Sequence, residues 1–138
     1  MRMLGRRMIL VVLAVTIAAC TSAAPQPPAT TIPITSFQMV AGKWEGTVTG
    51  IPSKSKDEGD WIEVTIGQDG AYDFGVYRTI GMFGGKGQFV LKDGKMTSQS
   101  SRGTAEWTLT DRGGKQYLRG EGTLETYMKV SADLNRGK

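Results

Sequence analysis

Residues 61–76 read Trp61-Ile62-Glu63-Val64-Thr65-Ile66-Gly67-Gln68-Asp69-Gly70-Ala71-Tyr72-Asp73-Phe74-Gly75-Val76. Ile62, Val64 and Ile66 fall on one face of an extended chain, and Tyr72, Phe74 and Val76 do the same after the break. This is the period of two expected of half-buried strands. Gln68-Asp69-Gly70 between them suits a three-residue hairpin loop with Gly70 at positive φ. Pairing Gly67 with Ala71 sets Ile66 opposite Tyr72, Val64 opposite Phe74 and Ile62 opposite Val76. Turn chemistry and apolar parity therefore give one register.

The same grammar extends in both directions. Gln88–Leu91 and Met96–Ser100 flank Asp93-Gly94; a two-residue loop pairs Leu91 with Met96, and a three-residue loop pairs Val90 with Met96. Thr104–Thr110 and Tyr117–Leu124 flank Asp111-Arg112-Gly113-Gly114, with Ala105, Trp107 and Leu109 inward. Trp44–Val48 is expected to open the domain and Leu124–Val130 to close it, while Ser36–Ala41 suits a turn of helix ending at Gly42. About eight short strands predict an all-β antiparallel domain over residues 37–138, and an up-and-down barrel is favoured over a sandwich. Gly46, Gly75, Gly120 and Gly122 inside strands allow the bends that a small barrel needs. The domain is expected to be monomeric.

Gly42-Lys43-Trp44 at the start of the first strand resembles the Gly-x-Trp signature of lipocalins and their calycin relatives. The resemblance implies that Trp44 plugs the closed end, with a late basic residue (Lys129 or Arg136) on its face. It departs from classical lipocalins in length and in lacking their C-terminal helix, and from avidins in lacking their paired Trp-Lys motif. An apolar ligand would lie among Tyr72, Phe74, Val76, Trp107 and Leu109. Strands this short favour an interior filled by side chains instead.

The chain has no histidine and a single cysteine, Cys20. Histidine-dependent nucleophiles, histidine zinc sites and an intrachain disulfide are thereby excluded, and neither an enzyme nor a cofactor or metal is expected. Asp57, Glu58 and Asp60 beside Lys54 and Lys56 read as a solvated loop rather than a calcium site. Gly81–Gly87 lacks phosphate-loop spacing and reads as a flexible barrel-end loop exposing Met82 and Phe83. Two functional readings follow: a carrier of a small apolar ligand, or an interaction or inhibitor module that grips an envelope protein or hydrolase through such loops.

The N-terminus carries an address. Arg2, Arg6 and Arg7 precede the apolar run Met8–Ala19, which as a helix would span roughly 18 Å against the roughly 30 Å of a bilayer core. A cleaved leader over 1–19 is the better reading. Ile17-Ala18-Ala19-Cys20 resembles a bacterial lipobox, which implies cleavage between Ala19 and Cys20 and lipidation of Cys20. Two or more acyl chains hold a protein stably at a membrane. Thr21, rather than Asp, after the cysteine favours the outer membrane on the enteric pattern, with the domain facing the periplasm. Residues 20–36 hold four of the five prolines and read as a disordered tether. Cleavage removes three of the 17 basic residues, leaving 14 against 13 acidic ones, so no basic footprint for nucleic acid remains. Replacing Cys20 by Ala is expected to abolish membrane attachment and leave the domain folded. Failure of the unmutated protein to incorporate labelled fatty acid would contradict the lipobox reading.

Overall fold

A computed structural model describes residues 23–52, 59–79, 81–125 and 128–138. The lipobox, Cys20 and the charged residues 54–58 lie outside them. Nine strands follow in chain order: β1 (Thr30–Ile32), β2 (Gly42–Thr49), β3 (Asp60–Ile66), β4 (Ala71–Arg78), β5 (Gly81–Lys92), β6 (Lys95–Ser100), β7 (Gly103–Arg112), β8 (Lys115–Leu124) and β9 (Met128–Arg136). A short 3-10 helix, Phe37–Met39, precedes β2. Strands β2 to β9 form an antiparallel meander that closes where β9 pairs with β2, and β1 is added to the edge of β7. This is an all-β, eight-stranded barrel.

The β3–β4 hairpin has the register read from its sequence: Ile66 faces Tyr72, Val64 faces Phe74 and Ile62 faces Val76. Gly70 turns at φ +83°, and the Gly67 N–H donates to Ala71 O at 2.7 Å. At β5–β6 the two-residue alternative holds, with Leu91 opposite Met96 and Asp93-Gly94 at φ +52° and +75°. Such a primed turn matches the right-handed twist of its strands. Gly113-Gly114 plays the same part between β7 and β8.

Cross-strand partners show how far the barrel is sheared. From Val48 one direction leads through Asp60 and its ion-paired neighbour Arg78 to Gly81. The other leads through Ala132, Gly120, Trp107 and Met96 to Leu91. The circuit returns to β5 ten residues away from where it began, from residue 81 to residue 91. With standard strand rise and spacing, that stagger tilts the strands by roughly 41° to the barrel axis, within the usual range. Outward positions carry Lys43, Glu45, Asp73, Lys86, Arg119 and Asp133, which form ion pairs across the wall. A lipid-facing barrel would place an apolar band there.

Three expectations are corrected. Gly81–Gly87 is not a loop: it is the first half of β5 and pairs along β4 from Arg78↔Gly81 to Tyr72↔Gly87. Its glycines concealed the strand; two of them, Gly85 and Gly87, lie against the β4 rings of Phe74 and Tyr72. The closing strand is Met128–Arg136, whereas Leu124 ends β8. Only Ala132 and Leu134 are fully buried along β9, so its alternation is weak in the sequence. The tether is shorter than its composition suggests. Thr30–Ile32 pairs with β7, the Ile34 N–H donates to Gly94 O at 2.8 Å, and Ile34 is only 2% exposed. Ile34→Ala is therefore expected to cost about 2–5 kcal/mol. A chain begun at residue 37 should unfold in urea well before one begun at residue 23; equal midpoints would remove β1 and Ile34 from the folded unit.

Candidate functional site

The two ends of the barrel differ. At the end where β2 begins, Trp44 is fully buried and its indole N–H donates to Val40 O at 2.7 Å. The Arg136 guanidinium lies 4.5 Å from the Trp44 ring centroid, donates to Ala41 O at 2.8 Å and also reaches Met39 O. Three successive carbonyls, Met39 to Ala41, thus receive the plug and its cation. Of the two candidate basic residues, Arg136 stacks on Trp44. Val40, Leu109, Leu118, Leu134 and Ile66 are buried in the same core cluster as Trp44.

The interior at the opposite end is not filled. An open cavity of about 790 Å³ is lined by residues 49–50, 97–99, 104–106, 121–123 and 129–131. Four of these stretches centre on an inward residue, and the register joins those residues into one rung: Ser98, Ala105, Gly122, Val130. Gly50 continues the wall, its Cα side facing the Lys129–Val130 backbone. Small side chains in consecutive strands leave the space. Strand β5 pairs with β6 only over Phe89–Lys92, so the two part toward the mouth. The expectation of a filled interior therefore holds at the plugged end and fails at the mouth.

Four aromatic side chains pack against one another inside the barrel, and none of them lines the cavity. Tyr72 and Phe89 lie 4.3 Å apart between centroids, Tyr72 and Phe74 6.4 Å, and Phe89 meets Trp107 edge-on at 6.1 Å. Glycine makes room for each of three rings. A Cβ on Gly120 would lie 2.6 Å from the Trp107 ring, on Gly87 2.5 Å from the Tyr72 hydroxyl, and on Gly85 3.1 Å from Phe74. Of the residues expected to hold a ligand, Val76 and Leu109 are buried core, Tyr72 and Phe74 are half-buried, and Trp107 is 8% exposed. None of these five lines the cavity; its wall includes Ser98 and Val130 instead, which the alternation of apolar residues does not single out, Ser98 being polar and Val130 lying on a weakly alternating strand.

At the mouth Arg78 and Asp60 point inward from adjacent strands and form an ion pair at 3.2 Å, with side chains 18% and 13% exposed. Arg78 also donates to Pro52 O, tying the end of β2 to β4. Asp60 is thus a strand residue held by an arginine. Titration is perturbed on the outer wall instead. Its hydrogen bond with Glu63 raises the Lys43 pKa and lowers that of Glu63, and Lys95 is raised by its hydrogen bond with Glu106.

No known protein family matches this sequence, and no characterised protein matches it either. The architecture itself defines the class: a small antiparallel barrel, plugged at one end and open at the other. Gly120→Ala should force the Trp107 ring to move and cost about 1–3 kcal/mol as an overpacked site. Gly75→Ala, whose Cβ would meet nothing closer than 3.6 Å, should cost much less. Equal denaturation midpoints for the two variants would contradict the ring-on-glycine packing.

Proposed function

We propose that this protein is a lipid-anchored envelope protein whose barrel is a non-catalytic binding module for a small ligand. The observation that carries the reading is the open cavity of about 790 Å³, which falls within the range of small-molecule sites. A plugged end and a mouth lined by small residues are what a carrier or sensor needs. The Trp44–Arg136 stack fits the calycin-like arrangement that Gly42-Lys43-Trp44 implies. The basic leader and Ile17-Ala18-Ala19-Cys20 support lipidation of Cys20, and Thr21 supports the outer membrane.

The exit of the chain supports an orientation. Pro27 packs on Gly113 at the β7–β8 turn, which lies at the plugged end. Cys20 is seven residues earlier in the chain, a reach of about 25 Å even when fully extended. An anchor at Cys20 thus keeps the plugged end near the bilayer and turns the mouth away from it.

A second reading, a protein-binding module, is favoured by one surface. Trp61, Tyr77 and Met82 are cross-strand neighbours on the outer wall, 43%, 44% and 65% exposed. Native mass spectrometry of the protein extracted from membranes separates the two. A small-molecule adduct that is lost, or weakened about tenfold or more, in Ala105→Leu is the expected result, since leucine would project from the wall into the ligand's space. A stoichiometric protein partner unaffected by Ala105→Leu, with no small-molecule adduct, would replace this reading with the second.

A further inference from the structure

Charge is divided unevenly between the plugged end and the wall above it. Lys43, Lys92, Lys95, Arg112, Lys115 and Arg136 all lie at strand ends around the plug, against Asp69, Asp93 and Asp111. Along the outer wall the balance reverses, with Glu45, Glu63, Asp73, Glu106, Glu121 and Asp133 against Lys86 and Arg119. Two of the basic residues are tied to that wall, Lys43 by Glu45 and Glu63 and Lys95 by Glu106. Lys92, Arg112 and Lys115 are exposed and form no ion pair among the described residues. Arg136 meets only carbonyls, the Gln116 side chain and the Trp44 ring. Asp69 and Asp111 turn back to accept from the Ala71 and Gly114 N–H groups, both at 3.0 Å. The connections at this end are short, residues 67–70, 93–94 and 113–114, so no long loop stands between the cations and a surface laid against them.

The path of the chain adds a second, independent observation. Pro27 packs on Gly113, in the turn that Arg112 and Lys115 flank. Residues 21–26 carry no charge, so nothing in the tether offsets those two cations. Attraction between exposed charges fades within about 8 Å at physiological salt. A basic patch of this size therefore acts only where something else holds it close, and an anchor at Cys20 does that. An anionic surface that attracts the plugged end also repels the acidic wall, which favours an upright barrel over one lying on its side.

We propose that the plugged end is a docking surface for the anionic phospholipid headgroups of the bilayer that holds the anchor, with Lys92, Arg112 and Lys115 as its principal contacts. The proposal rests on the reading of Cys20 as the point of attachment and adds a second hold to it, as stable anchoring commonly combines acyl chains with a basic patch. Each basic residue near an anionic leaflet strengthens attachment about fivefold. The test uses the protein extracted from membranes and reconstituted into nanodiscs of phosphatidylcholine, with or without phosphatidylglycerol, that carry a gadolinium-chelate lipid. Broadening of the Gly94 and Gly114 amide signals at the plugged end is compared with that of Gly103 at the mouth end.

In anionic discs at low salt, Gly94 and Gly114 should broaden more than Gly103. The difference should collapse in high salt, in phosphatidylcholine alone and in the double variant Arg112→Glu, Lys115→Glu, while Lys86→Glu on the wall should leave it in place. The salt and lipid comparisons use the unmutated protein and so do not depend on the variants folding. Equal broadening at both ends, stronger broadening at Gly103, or indifference to lipid charge and salt would overturn the docking surface. So would an acidic protein co-extracted at equal stoichiometry and released by the double variant, which would assign the patch to that partner. The mass of the Cys20 peptide from the same sample reports the anchor separately, and lipid on Cys20 without selective broadening would leave the anchor reading standing. A chain without lipid that is recovered apart from membranes would overturn both.

Discussion

The first strand must meet the last, and the contact between β2 and β9 governs everything else in this barrel. Trp44 faces Arg136, Gly46 faces Leu134 and Val48 faces Ala132 across that seam. A Cβ on Gly46 would lie 2.0 Å from Asp133 O, so the strands can approach there only because residue 46 has no side chain. Once the seam is closed, the Arg136 guanidinium stands over the Trp44 indole and draws in the carbonyls of Met39 and Ala41. A solvent-exposed cation over an aromatic ring, as Arg136 is over Trp44, is worth about 0.5–1 kcal/mol. The larger contribution is Trp44 itself, whose removal from such a site costs about 3–5 kcal/mol.

Shear then distributes side-chain size along the barrel. Cross-strand rungs climb around the wall, so one rung links the floor at Phe89 to the rim at Val130 through Ser98, Ala105 and Gly122. Large residues are concentrated at the plugged end and small ones on the rising rung. The result is a barrel packed where it is sealed and open where it is not. Rigidity and accessibility are divided between the ends, an arrangement suited to holding a ligand without refolding around it.

Much of this is legible in the sequence. The β3–β4 register follows from Ile62, Val64, Ile66 and their partners because turn length and apolar parity agree. Trp44 as plug is what the resemblance of Gly42-Lys43-Trp44 to the Gly-x-Trp signature implies, and Trp44 is fully buried. Less visible was β5, where a glycine-rich stretch has no apolar alternation of its own and the β4 rings of Phe74 and Tyr72 occupy the space beside Gly85 and Gly87. Ile34 lay in proline-rich company, and only the notch above the β5–β6 turn shows why one isoleucine there is core. The cavity was hidden for a related reason. Strand patterning reports which positions face inward, whereas a cavity depends on the sizes of inward residues that are neighbours only after registration.

The division between a sealed and an open end can be measured directly through thiol reactivity, since the native sequence has no cysteine beyond Cys20. Single cysteines at Ala105, on the cavity wall, and at Leu118, beside the plug, can be challenged with a small methanethiosulfonate under native conditions. Cys20→Ala supplies the background. The account requires Ala105→Cys to react at a rate close to that of an exposed thiol, and Leu118→Cys to react only as fast as the barrel unfolds. Equal protection at both positions would show an interior filled from end to end, and the account of a ligand-binding mouth would be wrong.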